Sequence, residues 1–295
     1  MIRFSICGAA SYACGELLRL MVNHPETQVA HLADSFAAGR KIQDEHPALA
    51  GFYDQEILPL NDETVDMIVK DSDVVFTAVD AGTVCGIAEK VLAGGKKFID
   101  FGADIRFRDA KVWEKWYHLD HPNYEMTKEA VYCIPEIQRD LAKGKSLISN
   151  PGCYPTATTL GLYPVLKEGM VVDNTIIVDA KSGYTGAGRR PAPNKLLAEA
   201  SNSFCAYALG GTHRHTPEIE QNIAYITGKD LMKPETWQFI NFQPHLTPQI
   251  RAIEVTIYAP LNKAISNAEL YDRSQKYTKD AVPYTHLTLP PNAQV

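Results

Sequence analysis

The first half of the chain alternates short apolar strands with helical segments, and this alternation limits the folds that the chain can adopt. Strand-like patterns occur at residues 3–7, 28–33, 71–79 and 97–100, and helix-like patterns occur at residues 16–23 and 83–93. Strands separated by helices pair in parallel, because each helix returns the chain to the edge where the next strand begins. The alternation predicts a doubly wound α/β domain over residues 1–149.

The second half of the chain has longer strand patterns. Residues 171–180 and 252–259 are rich in Val, Ile and Thr, and glycine turns surround residues 182–190. This pattern is typical of an α+β domain with a mostly antiparallel sheet. At 295 residues the chain is long enough for two domains with separate cores. We therefore predict a catalytic and substrate-binding domain, which also serves dimerisation, over residues 150–280.

Composition and charge exclude several classes of protein. The formal net charge of −6 offers no basic stripe for nucleic acid. The N-terminus enters a strand at once without the layout of a signal peptide, and no apolar run is long enough to span a bilayer. The six cysteines are scattered without a C-x-x-C pair, so neither a disulfide framework nor a zinc site is predicted. We expect a cytoplasmic protein with no metal, no nucleic-acid partner and no membrane association.

The turn after the first strand is a candidate cofactor-binding loop. Gly8 follows the strand, and Gly15 lies just before the first helical pattern. A strand, a glycine turn and a helix form the context in which a Rossmann-like domain binds a dinucleotide. The glycine spacing is sparse, because Ser11 and Cys14 stand where further glycines are expected. The candidate cofactor-binding residues of this turn are Gly8, Ser11, Tyr12 and Cys14.

The end of the second strand carries conflicting signals for the cofactor. Asp34 is an acid at the position that favours NAD, whereas the hydroxyl of Ser35 and the bases Arg40 and Lys41 favour the 2′-phosphate of NADP. These residues alone leave the choice between the two cofactors open.

Cys153 lies in the segment SNPGCYPTATT, which leads into an apolar helical pattern at residues 157–166. Pro155 and Thr156 open that helix, so the thiol is expected at a helix N-terminus. There the helix dipole and the free backbone N–H groups favour the thiolate and can hold an oxyanion. A buried, inert cysteine is the alternative. Burial alone does not require the Pro-Gly turn before Cys153, so we predict a nucleophile.

A second candidate for catalysis is the histidine pair in the segment GGTHRHTPEIEQ. Thr216 is predicted to be the N-cap and Pro217 the first residue of a helix, so His213 and His215 precede it. In extended backbone the two imidazoles point to one side and Arg214 to the other. An imidazole beside a thiolate can keep it ionised and move a proton. The alternative is that the histidines only hydrogen-bond the loop.

Taken together, these motifs resemble the N-acetyl-gamma-glutamyl-phosphate reductase family, NADP-dependent enzymes of arginine biosynthesis related to aspartate-semialdehyde dehydrogenase. The resemblance extends almost without interruption from Met1 to about Lys263. It is carried by the segments SNPGCYPTATT, DAKSGYTGAGR, HRHTPEIEQ and PHLTPQIRAIEVTIYA, and by DFGADIR from Asp100 to Arg106.

The resemblance implies reduction of N-acetyl-glutamyl 5-phosphate to the 5-semialdehyde and phosphate through a thioester on Cys153. It favours His215 as the acid/base, with His213 close behind, and NADP as the cofactor. Arg106 is the candidate phosphate clamp, because a guanidinium binds phosphate through two parallel hydrogen bonds; an exposed surface arginine is the alternative.

The resemblance also implies a homo-oligomer, either a dimer or a tetramer. The remaining candidates are Asn150, Arg189, Arg214 and Arg251 for the substrate, and Gly186 for the cofactor.

The chain departs from the family pattern in two places. Relatives carry further glycines in the first turn, and a positive φ at Ser11 would weaken cofactor binding. At the other end, residues 281–295 lack the closing helix of the family and resemble a non-native tail on a truncated chain.

Three other functions stay open on the sequence. A reductase of an aminoadipyl phosphate is one, because one extra methylene is a weak discriminator. A catalytically impaired remnant is the second, given the altered C-terminal end. A redox sensor built on Cys153 is the third and ranks last, since no resolving cysteine is recognisable.

Overall fold

The computed structural model describes residues 1–172, 175–189, 192–193 and 196–278, and they form two compact units. The first unit comprises Met1–Cys133, Asp140–Gly152 and Ala187–Ala192. The second comprises Ile134–Arg139, Cys153–Gly186 and the described residues from Pro193 onward. The boundary predicted between residues 149 and 150 lies just before Gly152, and the tail predicted over residues 281–295 lies outside the described residues.

The first unit is built around a seven-stranded, fully parallel sheet, which confirms the predicted α/β class. The strands lie in the order β3-β2-β1-β4-β5-β7-β6. In chain order the elements are β1 (Ile2–Cys7), α1 (Tyr12–Met21), β2 (Thr27–Asp34), α2 (Ile42–Glu45), β3 (Leu58–Pro59), α3 (Asp62–Asp71), β4 (Val74–Thr77), α4 (Val84–Ala93), β5 (Lys97–Asp100), α5 (Ala110–Tyr117), α6 (Tyr124–Glu129), β6 (Val131–Tyr132), α7 (Pro135–Ala142), which spans the division between the units, and β7 (Leu147–Ser149).

Both faces of this sheet are buried. Val75 belongs to one apolar cluster with Phe98, and its neighbour Phe76 belongs to another with Phe4 and Ile6. Successive side chains of a strand point to opposite faces, so each cluster is the core on one side of the sheet. A parallel sheet covered on both faces explains why the strands read as continuous apolar runs.

Gly8 makes the turn between β1 and α1 possible. Its φ is +90°, and a Cβ atom at this position would lie 2.3 Å from the backbone oxygen of Ala78. Only glycine satisfies both constraints, because other residues are strained at this φ and a Cβ has no room.

We expect Gly8→Ala to lower the free energy of unfolding by about 3 kcal/mol or more, through backbone strain and the clash together. Gly51→Ala is the matched control, because Gly51 has φ +83° with nothing within 4 Å of its Cβ position. That variant should lose only about 1–2 kcal/mol. Urea unfolding of both variants measures the difference, and equal losses would show that the clash with Ala78 is relieved at no cost.

The second unit contains a four-stranded sheet in the order β11-β8-β10-β9. Its elements are α8 (Cys153–Lys167), β8 (Ile176–Ser182), α9 (Leu197–Ala200), β9 (Cys205–Ala206), α10 (Thr216–Ile226), β10 (Ile240–Leu246), β11 (Ile253–Tyr258) and α11 (Asn267–Thr278). The central pair β8 and β10 is parallel, while β11 with β8 and β10 with β9 are antiparallel. Two of the three strand pairings are antiparallel, in line with the predicted mostly antiparallel sheet, and the parallel central pair makes the sheet mixed.

One predicted strand is shorter than expected. The sequence predicted a strand over residues 171–180, but β8 begins at Ile176. Gly169 ends α8 with φ +61°, and the N–H of Met170 bonds back to the carbonyl of Val165, so the chain first completes a turn. Val171 takes part only in an isolated bridge to Leu261. Val171 packs against the apolar core of the second unit although it lies before the strand.

None of the helices in the described ranges combines the length and the apolar composition that crossing a bilayer requires.

Candidate active site

Cys153 is the first residue of α8, a helix of 15 residues. The helix begins before the apolar run that predicted it, and Pro155 lies in its first turn. The thiol of Cys153 is exposed, so it is accessible to a substrate. A helix N-terminus favours the thiolate through its dipole and its free N–H groups.

Four of the other five cysteines differ from Cys153 in burial. Cys7, Cys14, Cys85 and Cys133 are buried, and Cys205 is the second exposed cysteine. Burial raises the pKa of Cys7, Cys14 and Cys85 to about 12, so these thiols stay protonated near neutral pH.

We therefore expect iodoacetamide at about pH 7.5 to alkylate Cys153 first and Cys205 more slowly, because the thiolate is the reactive form. Peptide mass spectrometry over a time course measures both rates. Cys205→Ser is the control, and it should leave the rate at Cys153 unchanged. Faster modification of Cys205, or of any buried cysteine in the folded protein, would contradict the proposed activation at the start of α8.

The two histidines lie together at the start of α10. The ring centroids of His213 and His215 are 4.8 Å apart, and the N–H of His215 donates to Nδ1 of His213 over 3.0 Å. The backbone here is a turn rather than the extended strand that was expected, and His215, not Thr216, is the N-cap. The turn brings the rings together because it closes a hydrogen bond from the N–H of Thr216 to the carbonyl of His213.

The environment of His213 fixes its protonation. Nδ1 accepts a hydrogen bond, so the proton of the neutral ring is on Nε2. Burial, with a smaller contribution from the charge of Arg214, lowers the pKa of His213 to about 4. At neutral pH His213 is thus an uncharged ring that can donate one hydrogen bond.

Three aromatic side chains that the sequence did not single out surround His213. Tyr154, Tyr207 and Phe242 have ring centroids 5.6, 5.5 and 5.4 Å from the ring of His213. The hydroxyl of Tyr207 donates to that of Tyr154 over 3.1 Å. The position of Tyr154 beside Cys153 was the only signal in the sequence for this cluster, since Tyr207 and Phe242 come from distant segments. The cluster packs the histidine pair against the core of the second unit.

A charged group on β8 and β10 was also missed. Lys181 Nζ lies 2.8 Å from Asp179 Oδ2, and His245 Nδ1 lies 3.2 Å from Asp179 Oδ1. Lys181 also approaches Glu254 of β11 at 3.5 Å. Asp179 and Lys181 stand in the segment DAKSGYTGAGR, which was the available signal.

The candidate cofactor turn lies in the first unit. Ser11 has φ −68°, and its side chain caps α1 by accepting from the N–H of Cys14. The positive φ considered for Ser11 is absent, so the missing glycine causes no backbone strain here. Tyr12 begins α1 and is partly exposed, whereas the side chain of Cys14 is fully buried and faces the core. Any contact of Cys14 with a cofactor is therefore limited to its backbone.

The side chain of Asp34 is committed to the protein backbone. It is 5% exposed, and its oxygens accept from the N–H groups of Ala10, Phe36 and Ala37 at 3.1, 2.7 and 3.2 Å. Ser35 and Arg40 are exposed at the same end of β2. The acid that favoured NAD thus holds the turn in shape, while the hydroxyl and the base stay accessible.

Arg106 is not a surface residue, since it is 6% exposed. Its Nε donates to the carbonyl of Asn150 over 3.0 Å, and Nη2 donates to the carbonyl of Phe101 over 2.8 Å. The N–H of Asn150 donates to the carbonyl of Asp100. Both peptide groups of Asn150 are therefore held in the segment that leads to Cys153.

The other predicted residues are distributed over both units. Arg189 belongs to the first unit, where it pairs with Glu45 at 2.7 Å. Arg214 and Arg251 are exposed residues of the second unit. Gly186 lies in a short 3-10 helix, Tyr184–Ala187, where a Cβ atom would approach Oγ of Ser182 to 2.7 Å. The described residues contain no group of His, Cys, Asp and Glu side chains suited to a metal ion.

The chain matches two family models that divide it between them. Residues 3–145 match the model described as semialdehyde dehydrogenase, NAD binding domain. Residues 153–288 match the model described as semialdehyde dehydrogenase, dimerisation domain. The second match includes the first part of the segment that was predicted to be a non-native tail.

Curated relatives align over most of the chain. The N-acetyl-gamma-glutamyl-phosphate reductase of Desulforamulus reducens is 40% identical over 270 residues, which are 92% of this chain and 75% of the relative. That of Moorella thermoacetica is 39% identical over 99% of this chain and 80% of the relative. A reductase of the same name from Pseudomonas putida is 42% identical over 88% of this chain and 72% of the relative.

Solved structures share the fold at low sequence identity. Aspartate semialdehyde dehydrogenase of Candida albicans, determined with NADP, has a TM-score of 0.63 at 13% identity and covers 95% of this chain and 76% of its own. The Vibrio cholerae enzyme II has a TM-score of 0.65 at 13% identity, with 92% and 78% covered. Matches to both domain models, together with relatives about 40% identical across most of the sequence, show that the chain belongs to the N-acetyl-gamma-glutamyl-phosphate reductase family of semialdehyde dehydrogenases.

Proposed function

We propose that this protein reduces N-acetyl-glutamyl 5-phosphate to N-acetyl-glutamate 5-semialdehyde and phosphate, with NADPH as the reductant. The observation that carries the proposal is the exposed thiol of Cys153 at the N-terminus of α8, in the same compact unit as the histidine pair. The named relatives, which align over most of the chain, support the choice of substrate.

The first step is acyl transfer to Cys153. His215 takes the proton of the thiol, and the thiolate sulfur attacks the carbonyl carbon of the acyl phosphate. The bond from that carbon to the phosphate oxygen then breaks, and His215 passes the proton to the departing phosphate. Backbone N–H groups at the start of α8 stabilise the oxyanion that forms between these events. The product of this step is a thioester on Cys153.

The second step releases the aldehyde. The hydride that reduces the thioester carbonyl would come from NADPH. The resulting alkoxide expels Cys153 as a thiolate, and solvent returns a proton to the sulfur or to His215. Nε2 of His213, which carries the proton of a neutral ring, is the donor that we assign to the carbonyl oxygen during this step.

The first unit offers residues that fit NADP. Gly8 makes a tight turn against the backbone of Ala78, and Ser11 and Tyr12 open α1 after it, so this turn and the helix N-terminus would hold the pyrophosphate. Ser35 and Arg40 are the accessible polar groups for the 2′-phosphate. Since the carboxylate of Asp34 is already bound to three N–H groups, it does not compete for the ribose.

We also infer a homo-oligomer, dimer or tetramer, formed through the second unit. Ile177 of β8 and Tyr258 of β11 are paired neighbours and are exposed on the face of the sheet opposite the core. Apolar side chains on an open sheet face favour burial against a partner. Light scattering coupled to size-exclusion chromatography measures the mass in solution, and a monomer at micromolar concentration would contradict this inference.

An assay with matched substrates tests the proposed reaction. NADPH oxidation is followed with N-acetyl-glutamyl phosphate and with the N-acetyl-aminoadipyl homologue, and the reverse reaction is followed with each semialdehyde and phosphate or arsenate. We expect a higher kcat/KM for the glutamyl compounds. Activity with the aminoadipyl compounds alone would reassign the substrate. Inactivity with both, in a protein that binds NADP, would support the impaired remnant.

A further inference from the structure

Glu45 is a buried carboxylate held between two arginines in the first unit. It is 8% exposed, and it lies at the end of α2. Oε1 accepts from Nη1 of Arg40 at 2.8 Å, and Oε2 lies 2.7 Å from Nη1 of Arg189. Arg40 and Arg189 are 149 positions apart in the sequence, so their shared partner was not predictable from local patterns.

Arg189 also contacts the cofactor turn. Its Nη1 donates to the carbonyl of Ala10 over 3.1 Å, while the N–H of Ala10 donates to Asp34. The ring of His46 bonds the carbonyl of Ala9 through Nε2 at 2.9 Å. The backbone of the turn is thus held from several sides, and one of these contacts comes from Arg189.

The charges of this group determine what it can attract. The hydrogen bond from Arg40 is the main cause that lowers the pKa of Glu45, and Arg189 adds to it, so the carboxylate is ionised at neutral pH. Burial lowers the pKa of His46, which therefore adds no charge at neutral pH. The charges of Arg40 and Glu45 alone would sum to zero. Arg189 brings the group to a net charge of +1.

The location of this charge matters for the cofactor. The side chain of Arg40 is 65% exposed, and it lies in the segment that follows β2, close in sequence to Ser35. In dinucleotide-binding domains the 2′ position of the adenosine ribose is read at the end of this strand. An arginine whose charge is cancelled by a carboxylate would be a weak phosphate ligand.

We propose that Arg189 and Glu45 determine the preference for NADP over NAD. Glu45 fixes the guanidinium of Arg40 at the end of β2, and Arg189 supplies the positive charge that Glu45 would otherwise cancel. Arg189 then acts on the cofactor through Glu45, as a specificity-determining residue, rather than on the substrate carboxylate. This inference rests on the proposed use of NADP.

Equilibrium binding without substrate tests it. Dissociation constants for NADP, NAD and 2′,5′-ADP are measured by isothermal titration calorimetry on the full chain. Arg189→Met should weaken the binding of NADP and 2′,5′-ADP by about three- to tenfold and that of NAD by clearly less, since NAD lacks the 2′-phosphate. Arg189→Lys keeps the positive charge and should lose less affinity for NADP than Arg189→Met does. Arg19→Met, which removes an exposed arginine of α1 from the same unit, is the control and should leave the dissociation constants of both cofactors unchanged.

A double-mutant cycle isolates the role of Glu45. If Arg189 acts by offsetting the charge of Glu45, the double variant Arg189→Met/Glu45→Gln, whose group again has a net charge of +1, should bind NADP within about twofold of the wild type. A double variant that binds NADP as weakly as Arg189→Met alone would overturn the link through Glu45.

Two further outcomes would overturn the inference and are distinguishable from failure of the proposed function. Unchanged NADP binding with a raised KM for the acyl phosphate in Arg189→Met would make Arg189 a substrate residue. Equal affinity of the wild type for NAD and NADP would remove the preference itself, although the acyl-phosphate assay could still succeed with either cofactor. Thermal melts of each variant confirm that the fold is retained, and Arg189→Lys carries the test if Arg189→Met does not fold.

Discussion

Cys153→Ser should lower turnover by at least about a thousandfold while the protein keeps its fold, because a serine hydroxyl at this position is a far weaker nucleophile than a thiolate. The side chain of Cys153 is exposed, so the replacement removes little buried contact. We expect the same melting temperature within about 1–2 °C, since surface substitutions change stability little. Steady-state NADPH oxidation and a thermal melt measure the two quantities.

The same variant gives a direct view of the covalent step. Mass spectrometry of the wild type, mixed with the acyl phosphate in the absence of reductant, should detect an acyl adduct on the peptide that contains Cys153. The serine variant is the control and should accumulate none. Near-normal turnover in Cys153→Ser, or an adduct on Cys205, would falsify the assignment of the nucleophile.

The second large effect is expected at the histidine pair, and it should be unequal. His215→Asn should lower kcat by about two to four orders of magnitude if His215 moves the proton. His213→Asn should cost less, because His213 is a neutral donor whose Nδ1 is bound to the N–H of His215. Asparagine keeps a polar side chain of similar size in each variant, so the two are matched.

The pH dependence separates the two roles further. Because the pKa of His213 lies at about 4, this ring does not change charge near neutral pH. A fall in kcat/KM as the pH is lowered from neutral would therefore come from another group than His213. We expect that limb of the profile to persist in His213→Asn and to vanish in His215→Asn. The reverse pattern would exchange the roles of the two histidines. Nearly normal pH profiles in both variants would mean that the histidine pair has only a structural role in the loop.

Much of the first unit could be predicted because its signals are local. The apolar runs that became β1, β2, β4 and β5 report burial on both faces of a parallel sheet, and this property is visible in a few consecutive residues. The short strands β3 and β6 have two residues each and give no such pattern. In the second unit, the chain turns at Gly169 before β8 begins. The strand propensity of the residues that follow Gly169 does not reveal this turn.

The candidate site divides in the same way. Cys153 and the histidines could be recognised because prolines and helix starts mark them locally. Tyr207 and Phe242 could not, because they reach His213 only after distant segments fold together. The pairing of Arg189 with Glu45 is likewise a tertiary contact, and residue type alone favoured the substrate carboxylate as its partner.

The buried state of Asp34 bears on how the coenzyme of this enzyme can be exchanged by design. A redesign toward NAD would ordinarily rely on an acid after the second strand to bind the ribose, but here the carboxylate of Asp34 already binds the N–H groups of Ala10, Phe36 and Ala37. Its removal would leave these donors unsatisfied, at about 1–3 kcal/mol for each one that water cannot reach. A redesign toward NAD should therefore keep Asp34 and begin with the exposed Arg40, where a change alters recognition without dismantling the loop that presents it.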